Sequence, residues 1–328
     1  MYIECLATLD ANKLNIWKSF LEKAGLRADL SVDKTVLIWE NDELIAAGSR
    51  KDNLLKCIAV SKKRQGENLT AKLITALRQD AFSDGLSHLF LYTKPENEDV
   101  FSSLFFYPVA KTDTVLLMEN KKNGISTFLD TLKEYDAAGD IGSIVMNCNP
   151  FTLGHQYLIE SAARECDHLY VFLVSEDKSE FSYKDRLEMM LLGTSHLKNI
   201  TILPTGPYLI SSATFPDYFL KERDNLEKIH CLLDIEIFTK YYAPKFSISK
   251  RFVGTEPLSQ ATDMYNSALR QHLPNYGIEL KEIRRLELFT SPVSASRVRM
   301  LIKEGNIESL KALVPPTTFN YLKNKNLI

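Results

Sequence analysis

The chain lacks cysteines spaced to act together. Cys5, Cys57, Cys148, Cys166 and Cys231 are scattered, odd in number and without a CxxC pair, which argues against a disulfide scaffold or a structural zinc site. It lacks an excess of one charge. With 40 Lys and Arg against 42 Asp and Glu, the formal net charge is −2, so neither nucleic acid nor an anionic membrane is expected as the main partner. No apolar, charge-free window is long enough to span a bilayer. The start carries acidic Glu4 and no basic head before a long apolar run, so it does not read as a secretory signal. The cytoplasm is the expected compartment. Internal repeats and low-complexity tracts are also absent.

What is present suits a globular protein of two domains: 328 residues, 45% hydrophobic and 25% charged. The front half mixes strands and helices. Strands are expected over 1–8, 35–40, 44–49, 54–60, 88–93 and 112–119, and helices over 69–82 and 98–105. A further helix, opened by Asp10 as N-cap, carries Leu14, Trp17, Phe20, Leu21 and Ala24 at helical spacing. A polar break at 120–124 and a helix over 125–135 lead into a second domain. The division is set at 1–130 and 131–328. From Ile141 strands alternate with helices, the strands falling at 141–147, 168–174, 200–204, 251–254 and 278–287. That pattern means a parallel sheet covered on both faces, with ligands bound at the carboxyl ends of its strands.

One such end carries Asn147-Cys148-Asn149-Pro150-Phe151-Thr152-Leu153-Gly154-His155 between a strand and a helix. A helix N-terminus presents unpaired N–H groups and partial positive charge, which makes an anion site. Gly154 lets backbone and ligand approach. Thr152 offers a hydroxyl, His155 a ring donor, and Pro150 stiffens the entry. The group suits a phosphate whose charge rises during reaction. Cys148 invites a rival nucleophile reading, but no His–Asn partner pattern accompanies it, and small buried cysteines are common beside turns.

The turn resembles the (H/T)xGH signature of the nucleotidyltransferase superfamily, with Thr152 and His155 in the named positions. That superfamily has a second signature, of the ISSTxxR kind, at a distant helix start. Ser291-Pro292-Val293-Ser294-Ala295-Ser296-Arg297-Val298-Arg299 fits, with Ala295 replacing one serine. The resemblance implies Ser294 as a helix cap, and Ser296 and Arg299 as holders of the β- and γ-phosphates of ATP, with Mg²⁺ bridging phosphates and no protein ligand assigned to it. It further implies an arginine near the acceptor or phosphates, matched by Arg186 with Lys184 beside it; a charged helix face is the plain alternative. Gly254-Thr255-Glu256-Pro257 resembles the superfamily's glycine turn near the nucleotide. Asn149, Pro150, Phe151 and Gly154 complete the nucleotide-contacting set.

In the front half, Arg64-Gln65-Gly66-Glu67-Asn68-Leu69-Thr70 lies between a strand and a helix. It resembles the pyrophosphate loop, (Q/R)xxGx(G/A), of GNAT acetyltransferases. Gln65 matches, while Asn68 and Thr70 replace small residues, which leaves binding of a CoA-like arm through Gln65 and Gly66. The expected fold class is therefore α/β: a GNAT-like α+β domain followed by a Rossmann-like nucleotidyltransferase domain with a parallel sheet.

This pairing resembles, over essentially the whole chain, the citrate lyase ligase family. The resemblance implies an acid–thiol ligase. Acetate and ATP give acetyl-adenylate and pyrophosphate, and the acetyl group then passes to the thiol of the phosphoribosyl-dephospho-CoA group on the citrate lyase acyl carrier subunit. Two alternatives stay open here: an adenylyltransferase of the phosphopantetheine or nicotinamide mononucleotide type, and a nucleotide-sensing interaction protein that is not an enzyme.

Overall fold

The computed structural model describes residues 1–135, 139–177, 179–209, 218, 226–255, 260–288 and 291–328. It divides into two compact units, Met1–Ile125 with Phe215–Leu233, and Ser126–Thr214 with Asp234–Ile328. The first unit thus includes a stretch from far along the chain, which composition gave no reason to expect. No helix of the described residues is long and apolar enough to cross a membrane.

The first unit runs β1 (Tyr2–Leu6), α1 (Ala11–Lys23), β2 (Lys34–Glu40), β3 (Glu43–Lys51), β4 (Leu54–Val60), α2 (Leu69–Ser83), β5 (Phe90–Thr93), α3 (Glu98–Ser102), β6 (Tyr107–Lys111) and β7 (Leu116–Glu119). Asp10 caps α1, its side chain accepting from the Lys13 N–H at 2.8 Å. The strands form one seven-stranded sheet, β1-β2-β3-β4-β5-β7-β6. Apolar residues of α2, with Leu73, Ile74 and Leu77 at helical spacing, pack on Val36, Ile38 and Leu55. β4 and β5 are parallel and pair only at Leu54–Phe90 and Leu55–Leu91. Beyond those pairs a cavity of about 660 Å³ opens, lined among others by Ile58, Val60 and Thr93.

β6 was hidden in the sequence because Pro108 interrupts it. Proline removes a ladder donor, which an edge strand tolerates. β6 is such an edge, and its register shifts between Pro108 and Ala110.

α4 (Gly124–Asp130) crosses the division between units. The second unit then runs β8 (Ile141–Met146), α5 (Leu153–Ala163), β9 (His168–Leu173), α6 (Tyr183–Thr194), β10 (Ile200–Pro204), the end of α7 (Leu226–Ile237, of which the residues up to Leu233 belong to the first unit), a π-helical turn Phe238–Tyr242, α8 (Ala243–Lys245), β11 (Lys250–Gly254), α9 (Gln260–His272), β12 (Glu279–Ile283), β13 (Glu287–Leu288), β14 (Ser291–Pro292), α10 (Ala295–Lys303), α11 (Ile307–Lys311) and α12 (Pro316–Asn324). Its main sheet is wholly parallel in the order β10-β9-β8-β11-β12. Burial on both faces explains the unbroken apolar runs of β8 and β9. The fold class is therefore α/β, as the alternation indicated. The expected strand over 278–287 divides in two: β12 stops at Ile283, and β13 pairs antiparallel with β14 instead.

The chain steps outward from β8 to β9 to β10, then returns to β11 on the other side of β8. The carboxyl ends of β8 and β11 thus flank the switch point, where open α/β sheets bind ligands. The Asn147–His155 turn follows β8, and Gly254 ends β11.

Candidate nucleotide site

The turn after β8 is a helix cap built around a histidine. Thr152 is the N-cap of α5 and His155 its third helical residue. Thr152 Oγ1 accepts from the His155 N–H at 3.3 Å, and the Thr152 N–H donates to His155 Nδ1 at 3.1 Å. This is a capping box in which an imidazole takes the place usual for Glu or Gln. An Nδ1 that accepts carries no proton, so the neutral ring bears its hydrogen on Nε2. Burial, and then the nearby Arg285 cation, lower the His155 pKa from 6.5 to about 4. At neutral pH the site therefore presents an uncharged N–H donor.

The remaining amides of this mouth are nearly all taken. The Leu153 N–H donates to the Leu313 carbonyl at 3.0 Å, and the Gln156 N–H to the Thr152 carbonyl at 3.0 Å. Among the described residues the Gly154 N–H has no partner. A Cβ at Gly154 would lie 3.1 Å from the Val293 carbonyl oxygen and 3.4 Å from Val293 Cβ. Its missing side chain thus serves close packing of the first signature on the second, in addition to the ligand approach the sequence suggested. Thr152 is buried and engaged with His155, so it positions the ring rather than offering a free hydroxyl.

The second signature is set by the β13–β14 ladder, which delivers the chain to α10. Ser294 caps that helix, its hydroxyl accepting from the Arg297 N–H at 3.2 Å. Arg299 brings the two signatures together across the intervening chain: Nη1 donates to the Asn149 carbonyl at 2.5 Å, and Nη2 to Ser296 Oγ at 3.1 Å. Ser296 is exposed. Asn149 also holds the loop after β9, its Oδ1 accepting from the Phe181 N–H at 3.0 Å. Pro150 and Phe151 are buried. Phe151 stacks beside His155 with ring centroids 6.0 Å apart, so it shapes the turn from below.

Arg186 is placed differently from its sequence expectation. It is 0% exposed. Nε donates to the Phe181 carbonyl, Nη1 to the carbonyls of Asn147 and Val174 and to Asn147 Oδ1, and Nη2 to the Glu176 carbonyl. Asn147, Val174 and Glu176 follow β8 and β9, and Phe181 precedes α6; together they enclose the guanidinium. Arg186 ties the two strand ends together. Lys184, two residues earlier, is exposed. Gly254 ends β11, and Arg285 Cγ lies 3.7 Å from the position of a Cβ there. Glu256 and Pro257 lie outside the described residues. Burial pushes the Cys148 thiol far up, which removes the nucleophile reading.

Arg285 was missed by sequence reasoning, because Arg284-Arg285 follows the charged strand Glu279–Ile283 and looks like part of a solvated charge run. In the front unit, Gln65 and Gly66 are exposed and line the cavity beside β4. Gly66 has φ +89°, and a Cβ there would meet nothing within 4 Å. Asn68 precedes α2 in the left-handed region without a side-chain cap bond, so the helix mouth keeps its N–H groups open to an anion. Arg64 is held by Glu67 at 2.7 Å and by Glu40.

The model of the citrate lyase ligase C-terminal domain matches residues 141–322. The [citrate [pro-3S]-lyase] ligase of Klebsiella pneumoniae is 42% identical over 309 residues, covering 92% of this chain and 90% of the relative. The enzyme of the same name from Escherichia coli (strain K12) is 40% identical, covering 93% and 89%. That from Haemophilus influenzae is 36% identical over 331 residues, covering 98% of each.

Proposed function

The chain belongs to the citrate lyase ligase family, and from that membership we propose the chemistry its two units carry out. It is an enzyme that activates citrate lyase by acetylation. On our reading a carboxylate oxygen of acetate attacks the α-phosphorus of ATP, and the bond to the β-phosphate oxygen breaks, releasing pyrophosphate. The thiol of the phosphoribosyl-dephospho-CoA group on the acyl carrier subunit then attacks the acetyl carbonyl, loses its proton and displaces AMP.

One observation carries the nucleotide half of this reading. A neutral imidazole with its proton on Nε2 stands beside an unpartnered Gly154 N–H at a helix mouth, and Arg299 is drawn onto the same turn. Such an array stabilises charge that grows on phosphoryl oxygens and needs no protein nucleophile. His155 and the Gly154 N–H would face the α-phosphate, with Thr152 orienting the ring. Ser294, Ser296 and Arg299 would serve the leaving pyrophosphate. Gly254 would approach the nucleoside, and exposed Lys184 the acceptor. Among the described residues no group of three His, Cys, Asp or Glu could cage a metal. Mg²⁺ would then enter with the phosphates and would supply charge neutralisation of the leaving pyrophosphate beside Arg299 and Ser296.

Exchange of labelled pyrophosphate into ATP tests this half. The expected result is exchange that requires acetate and falls as the carboxylate lengthens. Exchange without carboxylate, but with a phosphopantetheine acceptor, would move the chain to the adenylyltransferases. No turnover with any carboxylate or acceptor would leave a nucleotide sensor.

The front cavity suits the carrier's arm. The open N–H groups before α2 and the exposed Gln65–Gly66 edge would take its diphosphate. Gly66→Asp should leave acetyl-adenylate formation intact and cut transfer to the carrier by at least about tenfold, or roughly 1.4 kcal/mol. Gly66→Asn shares the backbone strain at φ +89° without the charge, so it should transfer far better. Equal transfer by the two variants at limiting carrier would reduce this unit to a docking surface.

A further inference from the structure

Glu180 makes a contact that the proposed reaction does not use. Its Oε2 lies 3.5 Å from Arg299 Nε, and its Oε1 lies 3.5 Å from Lys303 Nζ. Arg299 and Lys303 are four residues apart on α10, so they share a helix face. One carboxylate thus spans two cations. The Lys303–Glu180 pair is exposed, but both neighbours of Glu180 are tied to the turn after β8. Asn147 Nδ2 donates to Ser179 Oγ at 3.1 Å, and the Phe181 N–H donates to Asn149 Oδ1 at 3.0 Å. The Phe181 carbonyl is in turn held by buried Arg186 at 3.1 Å. The Ser179 side chain on one side and the Phe181 backbone on the other are thus held, and the carboxylate between them reaches both cations.

We propose that Lys303 is a second pyrophosphate-binding cation, and that Glu180 is the counter-ion that the polyphosphate replaces. The inference rests on the assignment of Arg299 to the leaving pyrophosphate. Charge arithmetic supports the exchange. Two cations against one carboxylate leave a net positive face, which a singly charged anion gains little by entering. A polyphosphate with several negative charges outcompetes the carboxylate there. When pyrophosphate departs, Glu180 returns and cancels one of the two positive charges, so the same carboxylate lowers product affinity.

The test is equilibrium binding of inorganic pyrophosphate, ATP and AMP to the intact protein, followed by inhibition of turnover by added pyrophosphate. Removing one exposed charge shifts affinity by about two- to fivefold. Glu180→Gln should bind pyrophosphate and ATP that much more tightly and be inhibited by pyrophosphate at lower concentration. Lys303→Gln should bind both more weakly by a similar factor. AMP, which lacks the β- and γ-phosphates, should be unaffected in either variant. Thermal melting of each variant close to wild type confirms that the fold is retained. Equal pyrophosphate affinity in wild type and Glu180→Gln would overturn the counter-ion role, and weaker binding by Glu180→Gln would overturn it more strongly. A wild-type protein that binds neither pyrophosphate nor ATP would remove the Arg299 assignment itself. Loss of AMP binding in step with pyrophosphate would mean that the substitutions disturb the whole site.

Discussion

Replacing His155 with alanine should slow acetyl-adenylate formation about a hundred- to thousandfold, the cost of losing one preorganised donor of roughly 3–4 kcal/mol. The ring has two duties that the substitution removes together. Nδ1 closes the cap of α5 by accepting from the Thr152 N–H, and on the proposed reading Nε2–H would face the charge that develops on the α-phosphate. His155→Gln separates them, because glutamine is a usual partner in a capping box. Alanine should therefore cost about 1 kcal/mol of stability and most of the rate. Glutamine should recover the stability and little of the rate. The pH dependence follows from the lowered pKa. Between about 4 and the ordinary 6.5, the unfolded chain binds a proton at this position that the folded protein refuses. Stability from this residue is thus full above pH 6.5 and lost as pH falls toward 4. The melting temperature of wild type should fall faster than that of His155→Ala across that window. A soluble alanine variant with near-native adenylate formation would remove His155 from the chemistry.

The two signatures were legible because their geometry is local. A Thr three residues before a His, between an apolar strand and a helical run, marks the turn, although the hydroxyl expected as a free donor closes the cap of α5 instead. Ser294, expected as the cap of the second helix, is one. Their meeting was not legible. It depends on the return of the chain to β11 and on the β13–β14 ladder, which the charged run Arg284-Arg285-Leu286-Glu287 disguises. The central strands β8 and β9 stood out because burial on both faces makes them mostly apolar. β6 did not, since an edge position excuses its proline. The unit division lies near the expected one, at Ile125 and Ser126, but the stretch Phe215–Leu233 joins the first unit. Long-range association of that kind leaves no local pattern. Glu180 and Arg285 were invisible for a similar reason: sequence gives a charge, and tertiary closure gives its partner.

Arg186 shows the same limit in its sharpest form. An arginine four residues into α6 looks solvated, yet it is wholly enclosed, and removing it should unfold the second unit at markedly milder conditions. Its guanidinium serves four backbone carbonyls and Asn147 Oδ1. Two of these carbonyls, of Asn147 and Val174, directly follow β8 and β9, and two, of Glu176 and Phe181, lie in the segment before α6; buried acceptors left without donors are costly. Truncation of one partner in a buried charged network costs about 3–5 kcal/mol. Arg186→Ala should lose stability on that scale in denaturant melts of the whole chain. Arg186→Lys should restore part, because three donors on a point charge cannot reach partners spread around a planar fork. Kinetics separate the clamp from the phosphate contact that the sequence suggested. A clamp variant, assayed well below its melting temperature, should lose maximal rate as Asn147 and Asn149 lose their registry, since Asn149 receives Arg299 on one side and Phe181 on the other. A phosphate contact would raise the KM for ATP and leave the melt unchanged. An Arg186→Ala protein as stable as wild type, with only its ATP dependence altered, would return this residue to the nucleotide and require the loops after β8 and β9 to be held by something else.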